Sequence, residues 1–195
     1  MVDPAVEPLR VEVAPLVQYA VMNGGDPRKG IRRFLIGFPV CLLAGFALLQ
    51  VPQVDAAIMV FTEGITWASA GLIHLLGGQA VVVGRILRNP VNGLAVEVQN
   101  VCNGVNVTVL LWAAILTYPA GWTRKVKGLL AGTAALHILN LIRVISLFYL
   151  RQYRPYWFVF AHLYAWESLI VLDTLVVFWI WASRGRRIAG HASTI

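Results

Sequence analysis

The chain has 195 residues, of which 58% are hydrophobic and 13% charged, and its formal net charge is +7. A soluble domain carries about 25% charged residues, so this composition excludes an ordinary soluble protein, a disordered chain and a coiled coil. With only two cysteines, a disulfide-rich secreted scaffold is excluded as well. The class that remains is an integral membrane protein. Basic residues set orientation in that class, so the positive charge does not indicate a nucleic-acid partner.

Apolar segments recur along most of the chain. Residues 1–32 are polar and interrupted by proline and glycine. We expect a cytoplasmic tail there, because the first long apolar run begins only near Phe34. The clearest predicted spans are 34–54, 102–123, 128–150 and 155–182. Each is long enough to cross a hydrocarbon core of about 30 Å. Pro155 suits the first position of the last helix, and 184–195 reads as a basic cytoplasmic tail.

Residues 54–78 are apolar but contain Asp55, Glu63 and His74, and their path decides the orientation of the chain. If this segment crosses the membrane, the basic residues divide 9 inside to 6 outside. If it enters the outer leaflet and returns, or lies in it, they divide 11 to 4, with Arg143 left uncounted in the membrane. The second arrangement obeys the positive-inside rule better, so we expect both termini to be cytoplasmic.

Between these spans, residues 79–100 have a different pattern. Two β-branched runs flank a turn that contains Asn92-Gly93, which is typical of a β-hairpin. Such a backbone cannot face lipid, so we place the hairpin on the extracytoplasmic side. The predicted fold is an all-α polytopic membrane bundle of four to five transmembrane segments with this small β-hairpin. Its membrane-embedded domain covers 33–183.

Three residues that can perform chemistry fall at one predicted depth. Cys102 precedes a helix, where a helix N-terminus and nearby cations favour a nucleophilic thiolate. Arg143 and His162 each lie about 10 Å below the outer end of their helices. Arg143 can stabilise an oxyanion and His162 can act as general acid and base. Each also has a plainer reading: a buried small thiol, an arginine that reaches the interface, and a packed histidine.

Several neighbours are predicted to support this trio. Asn140 shares a helix face with Arg143 and is placed to hold the guanidinium. Trp166, Leu169 and Asp173 follow His162 at helical spacing, so we expect them to share its face. We interpret His137 and Asp173 as structural polar partners deeper in the bundle. Cys41 is too far from Cys102 for a disulfide. No close pair of metal ligands occurs in the sequence, so neither a metal nor another cofactor is predicted.

The segment Val101-Cys-Asn-Gly-Val105, followed by Asn140-Leu-Ile-Arg143 and then by His162, resembles the exosortase/archaeosortase family. The resemblance covers roughly 55–182. It implies a membrane-embedded cysteine transpeptidase or protease of the inner (cytoplasmic) membrane. The implied partners are exported proteins that end in a sorting motif, a transmembrane helix and a basic cluster. Such an enzyme cuts at the motif near the outer leaflet and transfers the protein to an anchor through a thioester.

The resemblance also implies the roles of individual residues. Cys102 is then the nucleophile, Arg143 the transition-state stabiliser and His162 the acid and base. Asn103, Gly104, Asn140 and Trp166 are the expected supporting or substrate-binding residues. Asn103 departs from the small residue that usually follows the cysteine. Many relatives have about eight spans, so this chain resembles a short form.

Two other functions fit the same residues. A non-enzymatic membrane scaffold or export partner would use Arg143 and His162 only to join helices, and Cys102 would then be unreactive. A small transporter would use the buried Arg, His and Asp side chains, although the chain lacks the inverted repeat that is common in such proteins.

Overall fold

The computed structural model describes residues 27–100 and 102–192, with the side chains of 27–29 and 185–192 left out. The predicted N-terminal tail over 1–26 therefore lies outside the described residues. The elements are α1 (Pro27–Leu49), α2 (Pro52–Leu75), β1 (Val81–Val83), β2 (Ile86–Arg88), β3 (Ala95–Glu97), α3 (Val105–Thr117), α4 (Trp122–Tyr153), α5 (Pro155–Phe160), a π-turn (Ala161–Ala165) and α6 (Trp166–Ala192).

Four helical stretches are long and apolar enough to cross a membrane: Gly30–Leu49, Pro52–Leu75, Trp122–Tyr153 and Pro155–Arg184. This agrees with the predicted helical membrane bundle. Helix α1 begins at Pro27 and α6 continues to Ala192, so both predicted tails are partly helical. Pro155 is at the start of α5, as predicted, where its missing N–H leaves no hydrogen bond unmade.

The predicted span over 102–123 is wrong in its length. Helix α3 covers only Val105–Thr117, which is 13 residues and about 20 Å. It starts late because Gly104 adopts a left-handed conformation with φ of 82°. It ends early because Pro119 and Gly121 lie in the link to α4, where proline lacks a donor and glycine favours turns.

The long helix α4 organises the rest of the bundle. Its 32 residues extend about 48 Å, well beyond a hydrocarbon core of about 30 Å. Its first half packs against α3 and α6, with Leu111 and Leu136 fully buried between them. Its second half packs against α2 and the sheet, through Val144 and Phe148.

Helix α2 lies beside the second half of α4, whereas α1 packs against α3. The ring of Phe61 meets that of His137 at 5.0 Å, and Ile73 of α2 joins the core around Phe148. The expectation that 54–78 enters the membrane and returns is wrong, because the segment is one continuous helix. It extends alongside the part of α4 that leads to the sheet. The alternative in which it lies in the outer leaflet stays a prediction.

The predicted hairpin is a three-stranded antiparallel sheet in the order β1-β2-β3. The predicted Asn-Gly turn does join two strands, β2 and β3, since Arg88 pairs with Ala95. The first turn was not predicted; in it Gly84 has φ of 58° and Val83 pairs with Ile86. Asn89 fastens the sheet to the end of α4 through a 2.7 Å bond to Gln152.

Basic side chains gather at the two ends of the bundle. At one end the ring of Phe34 contacts that of Tyr118, and Arg124 donates to the carbonyls of Trp181 and Ala182. At the other end lie the sheet arginines and the C-terminus of α4. For the described residues, these two ends correspond to the two groups of basic residues, 11 inside and 4 outside, in the predicted orientation. The assignment of the first end to the cytoplasm stays a prediction.

Candidate active site

Cys102 lies in the short loop that connects the sheet to α3. It is 8% exposed, and its backbone N–H donates to the carbonyl of Gln99 at 2.8 Å. Both described cysteines are free, in agreement with the predicted absence of a disulfide between Cys41 and Cys102. The loop therefore holds a buried thiol directly before a helix, two residues from its N-cap Gly104.

Arg143 is the side chain that meets this thiol. One guanidinium nitrogen, Nη2, lies 3.7 Å from Cys102 Sγ, and the side chain is only 2% exposed. The depths counted along the helices predict that the two residues lie in the same leaflet, together with His162, but not that they touch. An arginine in this environment is costly unless its charge is paired, so its other contacts matter.

The partner of that charge is Glu167, which the sequence analysis did not identify. Its Oε1 accepts from Arg143 Nη2 at 2.9 Å, while the Glu167 side chain remains 55% exposed. Arg143 therefore lies between a buried thiol and a carboxylate that reaches the surface. The only sequence signal for this role was an acidic residue within an apolar helix.

His162 faces a direction that regular helical spacing does not predict, because the helix is not regular at this point. Residues Ala161–Ala165 form a π-turn, and the N–H of Trp166 donates to the carbonyl of Ala161, five residues earlier. A π-turn inserts an extra residue into the turn, so residues five apart share a side. His162 is thus followed on its side by Glu167 rather than by Trp166, which is half-buried at the start of α6.

His162 itself stands apart from the cysteine and the arginine. Its ring stacks on that of Phe158 at 5.7 Å, and its buried Nδ1 has no hydrogen-bond partner. Across the described parts of the chain, no hydrogen bond joins it to Cys102 or Arg143. It lies about 7 Å along the helix axis from Glu167. The structure brings together two of the three predicted residues and leaves the third one turn away.

Asn103 fixes the loop rather than facing a cavity. It is fully buried, its Nδ2 donates to Thr62 Oγ1 at 2.8 Å, and its Oδ1 accepts from the N–H of Val105 at 2.9 Å. Asn100 extends this network by donating to Asp55 at 3.0 Å. These bonds hold the loop that carries Cys102 against α2 and begin α3 at a defined position.

Gly104 brings the loop close to α4. A Cβ at this position would lie 3.3 Å from Asn140 Cγ and 3.4 Å from His137 Nδ1. Asn140 is fully buried, and neither its amide nitrogen nor its oxygen has a partner. It makes no bond to the guanidinium, so Glu167 takes the place that the sequence analysis gave to Asn140. The unpaired amide lies directly under the loop of Cys102.

A cavity of about 480 Å³ opens beside Arg143 between α3, α4 and α6. Its polar lining combines Asn106, Arg143 and Glu167 with the backbone of Gly104. Its apolar lining consists of Phe46, Val107, Leu110, Ile170 and Val171. In the described residues, no three metal-ligating side chains come together. The cavity thus suits an apolar chain that presents one polar group to the guanidinium.

The charge balance around Cys102 follows from these contacts. Burial raises the pKa of the Cys102 thiol above its ordinary value, Arg143 opposes the rise and Glu167 adds to it. The thiol is therefore mostly protonated at neutral pH, contrary to the thiolate that the position before a helix predicts. A reaction through the Cys102 thiolate would need a base, or a change in these contacts on substrate binding.

One family model matches this chain, that of the transmembrane exosortases, over residues 27–180. The chain belongs to the transmembrane exosortase family. No curated protein and no solved structure matches it. Family membership confirms the resemblance seen in the sequence and gives this exosortase a general role as a multi-pass membrane enzyme of the protease or transpeptidase type that acts on exported proteins. It favours an enzyme over the scaffold and the transporter.

Proposed function

We propose that this exosortase is a cysteine transpeptidase that cuts C-terminal sorting tails of exported proteins and transfers each protein to an anchor. The observation that carries the proposal is the contact of 3.7 Å between the Arg143 guanidinium and Cys102 Sγ. A cation beside a buried thiol both favours the thiolate and supplies a donor for the oxyanion that forms on attack.

In the first step, the Cys102 thiolate attacks the scissile carbonyl carbon. The carbonyl oxygen gains negative charge, and Arg143 stabilises it by donating hydrogen bonds. When the tetrahedral intermediate collapses, the peptide C–N bond breaks, the leaving amine takes a proton, and a thioester remains on Cys102. An acceptor amine or water then attacks the thioester and restores the thiol. Loss of one oxyanion donor typically costs about 10²–10³ in rate.

Glu167 is proposed to hold Arg143 in place between substrates. Because its carboxylate is half exposed, an entering substrate can reach it and take over the guanidinium. Once Glu167 has released it, Arg143 can donate to the carbonyl oxygen of the substrate. The negative charge of Glu167, which disfavours the Cys102 thiolate, would then lie farther from the thiol. The proposal therefore couples substrate entry to activation of the nucleophile.

His162 is proposed as the group that moves the proton, a role implied by the family resemblance. What supports it is a buried Nδ1 without a partner and a π-turn, a geometry that often marks functional sites. From its observed position His162 must approach the thiol by a shift within the π-turn. Asn140, whose amide is unpaired under the loop, is proposed to bond the substrate backbone.

The depth of the site supports cleavage near the outer leaflet. Arg143 follows Arg124 by nineteen positions in α4, which corresponds to about 28 Å, close to the thickness of a hydrocarbon core. If the basic end is cytoplasmic, Cys102 and Arg143 lie at the opposite interface. A substrate helix with its basic end in the cytoplasm would place its motif there.

The test is co-expression with a tail-bearing protein from the same genome, followed by blotting for its size. We expect Cys102→Ala to abolish the processed band and Cys41→Ala, which alters the other cysteine, to leave it. A processed band that persists with a stable Cys102→Ala protein would exclude the mechanism and favour the scaffold.

A further inference from the structure

A second groove lies at the other end of the molecule, between α4 and α6. Its volume is about 400 Å³, and its floor is formed by small and apolar side chains of the two helices: Gly128, Ala131, Gly132, Ala135, Val177 and Ile180. Gly132 admits Leu111 so closely that an added Cβ would lie 2.7 Å from that side chain. The open part of the groove therefore lies over the exposed Ala131 and the half-buried Ala135, and its walls are apolar.

Three cations stand at the mouth of this groove: Arg124, Lys127 and Arg184. Arg124 is anchored by two carbonyls of α6 and stacks over the Trp181 ring at 4.7 Å. Lys127 and Arg184 are exposed. Within the described parts of the chain, no carboxylate forms an ion pair with any of the three, since both observed pairs involve Arg85 and Arg143.

We propose that this groove binds an anionic phospholipid of the adjacent leaflet, with the phosphate between Lys127 and Arg184 and an acyl chain along the small residues. Charge complementarity selects this occupant. The unpaired cations at the mouth match the anionic headgroup of a lipid, and the apolar groove matches its acyl chain. Basic pockets between helices are known to recognise anionic headgroups. The bound lipid would stabilise the packing of α4 against α6, the helices that supply Arg143 and Glu167.

The proposal is tested on the full chain in detergent by native mass spectrometry with phosphatidylglycerol and phosphatidylcholine of identical acyl chains. We expect phosphatidylglycerol to be retained preferentially. Each cation near an anionic headgroup contributes about fivefold, so Lys127→Gln with Arg184→Gln should weaken retention about 25-fold. The matched control is Arg151→Gln with Arg154→Gln, which removes the same charge at the other end and should change little.

A second variant separates the groove from its charge. Ala131→Trp leaves every cation in place and fills the groove, so it should also release phosphatidylglycerol; Ala135→Phe serves if the first variant does not fold. Equal retention of both lipids by the unaltered protein would overturn the proposal. That is also the result expected if another segment of the chain occupies the groove. Full retention by the filled variant, or complete competition by inorganic phosphate, would overturn it as well.

Discussion

At the scale of residues, the site depends on Arg143, which contacts both Cys102 and Glu167. Arg143 touches a buried thiol on one side and a half-exposed carboxylate on the other. Burial and Glu167 disfavour the thiolate of Cys102, and only Arg143 favours it. If Cys102 is the nucleophile, as proposed, it is held protonated until an entering substrate displaces Glu167 from Arg143.

This balance predicts the pH dependence of alkylation. In a Cys41→Ala background, Cys102 is the only thiol, and its alkylation rate should rise with pH to a midpoint above that of a free thiol. Arg143→Gln removes the group that lowers the pKa of Cys102, so the midpoint should move further upward. A midpoint at or below that of free cysteine would contradict the account, as would a downward shift with Arg143→Gln.

Gly104 allows backbone strain to be separated from crowding of the site. Gly104 and Gly77 have φ of 82° and 79°, so alanine at either position should cost about 1–2 kcal/mol in stability. Only at Gly104 would a Cβ meet Asn140 and His137; around Gly77 it meets nothing within 4 Å. We expect similar losses in melting temperature but a loss of processing only with Gly104→Ala. Equal processing by both variants would show that the approach of the loop to α4 is unimportant.

Counting from helix ends could place Cys102 and Arg143 at one depth, but it placed His162 there as well and could not show which of the three meet. It could not predict the partner of Arg143. Helical spacing points to Asn140 on the same helix, whereas the partner is Glu167 on α6. The π-turn, which the sequence pattern does not reveal, places Glu167 rather than Trp166 on the side of His162. The unpaired amide of Asn140 and the close approach of Gly104 to it likewise depend on tertiary packing, which the sequence pattern does not show.

At the scale of elements, the π-turn is the feature that relates His162 to Glu167. Deletion of Leu163, which is 54% exposed, should convert the turn into regular α-helix and rotate His162 by about 100° relative to Glu167. We expect the protein to fold and processing to fall about a hundredfold, since misplacement of a reacting group by about 1 Å can have such an effect. The substitution Leu163→Ala removes the same exposed side chain but leaves the number of residues in the turn unchanged, so it serves as the comparison. Normal processing after deletion of Leu163 would contradict a role for the π-turn.

Element boundaries show where sequence patterns stop being informative. Apolar composition predicted the long helices, since any span of a membrane needs about 20 apolar residues. It could not show that α3 is short, because Gly104 and Pro119 break a run that remains apolar throughout. The Asn-Gly turn was predictable from its residues, whereas β2 was hidden in a run too short to show alternation.

At the scale of the whole molecule, the two basic ends predict the orientation in the membrane. The end with Arg124 and Lys127 should be cytoplasmic, and the end with the sheet and Arg151 should face outward. In a chain without its native cysteines, a membrane-impermeant maleimide should label Arg151→Cys in intact cells. It should label Lys127→Cys only after permeabilisation, and the reverse pattern would contradict the proposed topology.

The central claim is that Cys102 carries the substrate as a thioester, and trapping that adduct tests it most directly. The enzyme and a tail-bearing substrate are denatured during turnover, and the adduct is sought by intact mass and by its cleavage with neutral hydroxylamine. The account predicts a hydroxylamine-sensitive adduct at Cys102 in the wild type and in Cys41→Ala, and none in Cys102→Ala. Processing by the wild type without any such adduct, or an adduct that survives in Cys102→Ala, would contradict it.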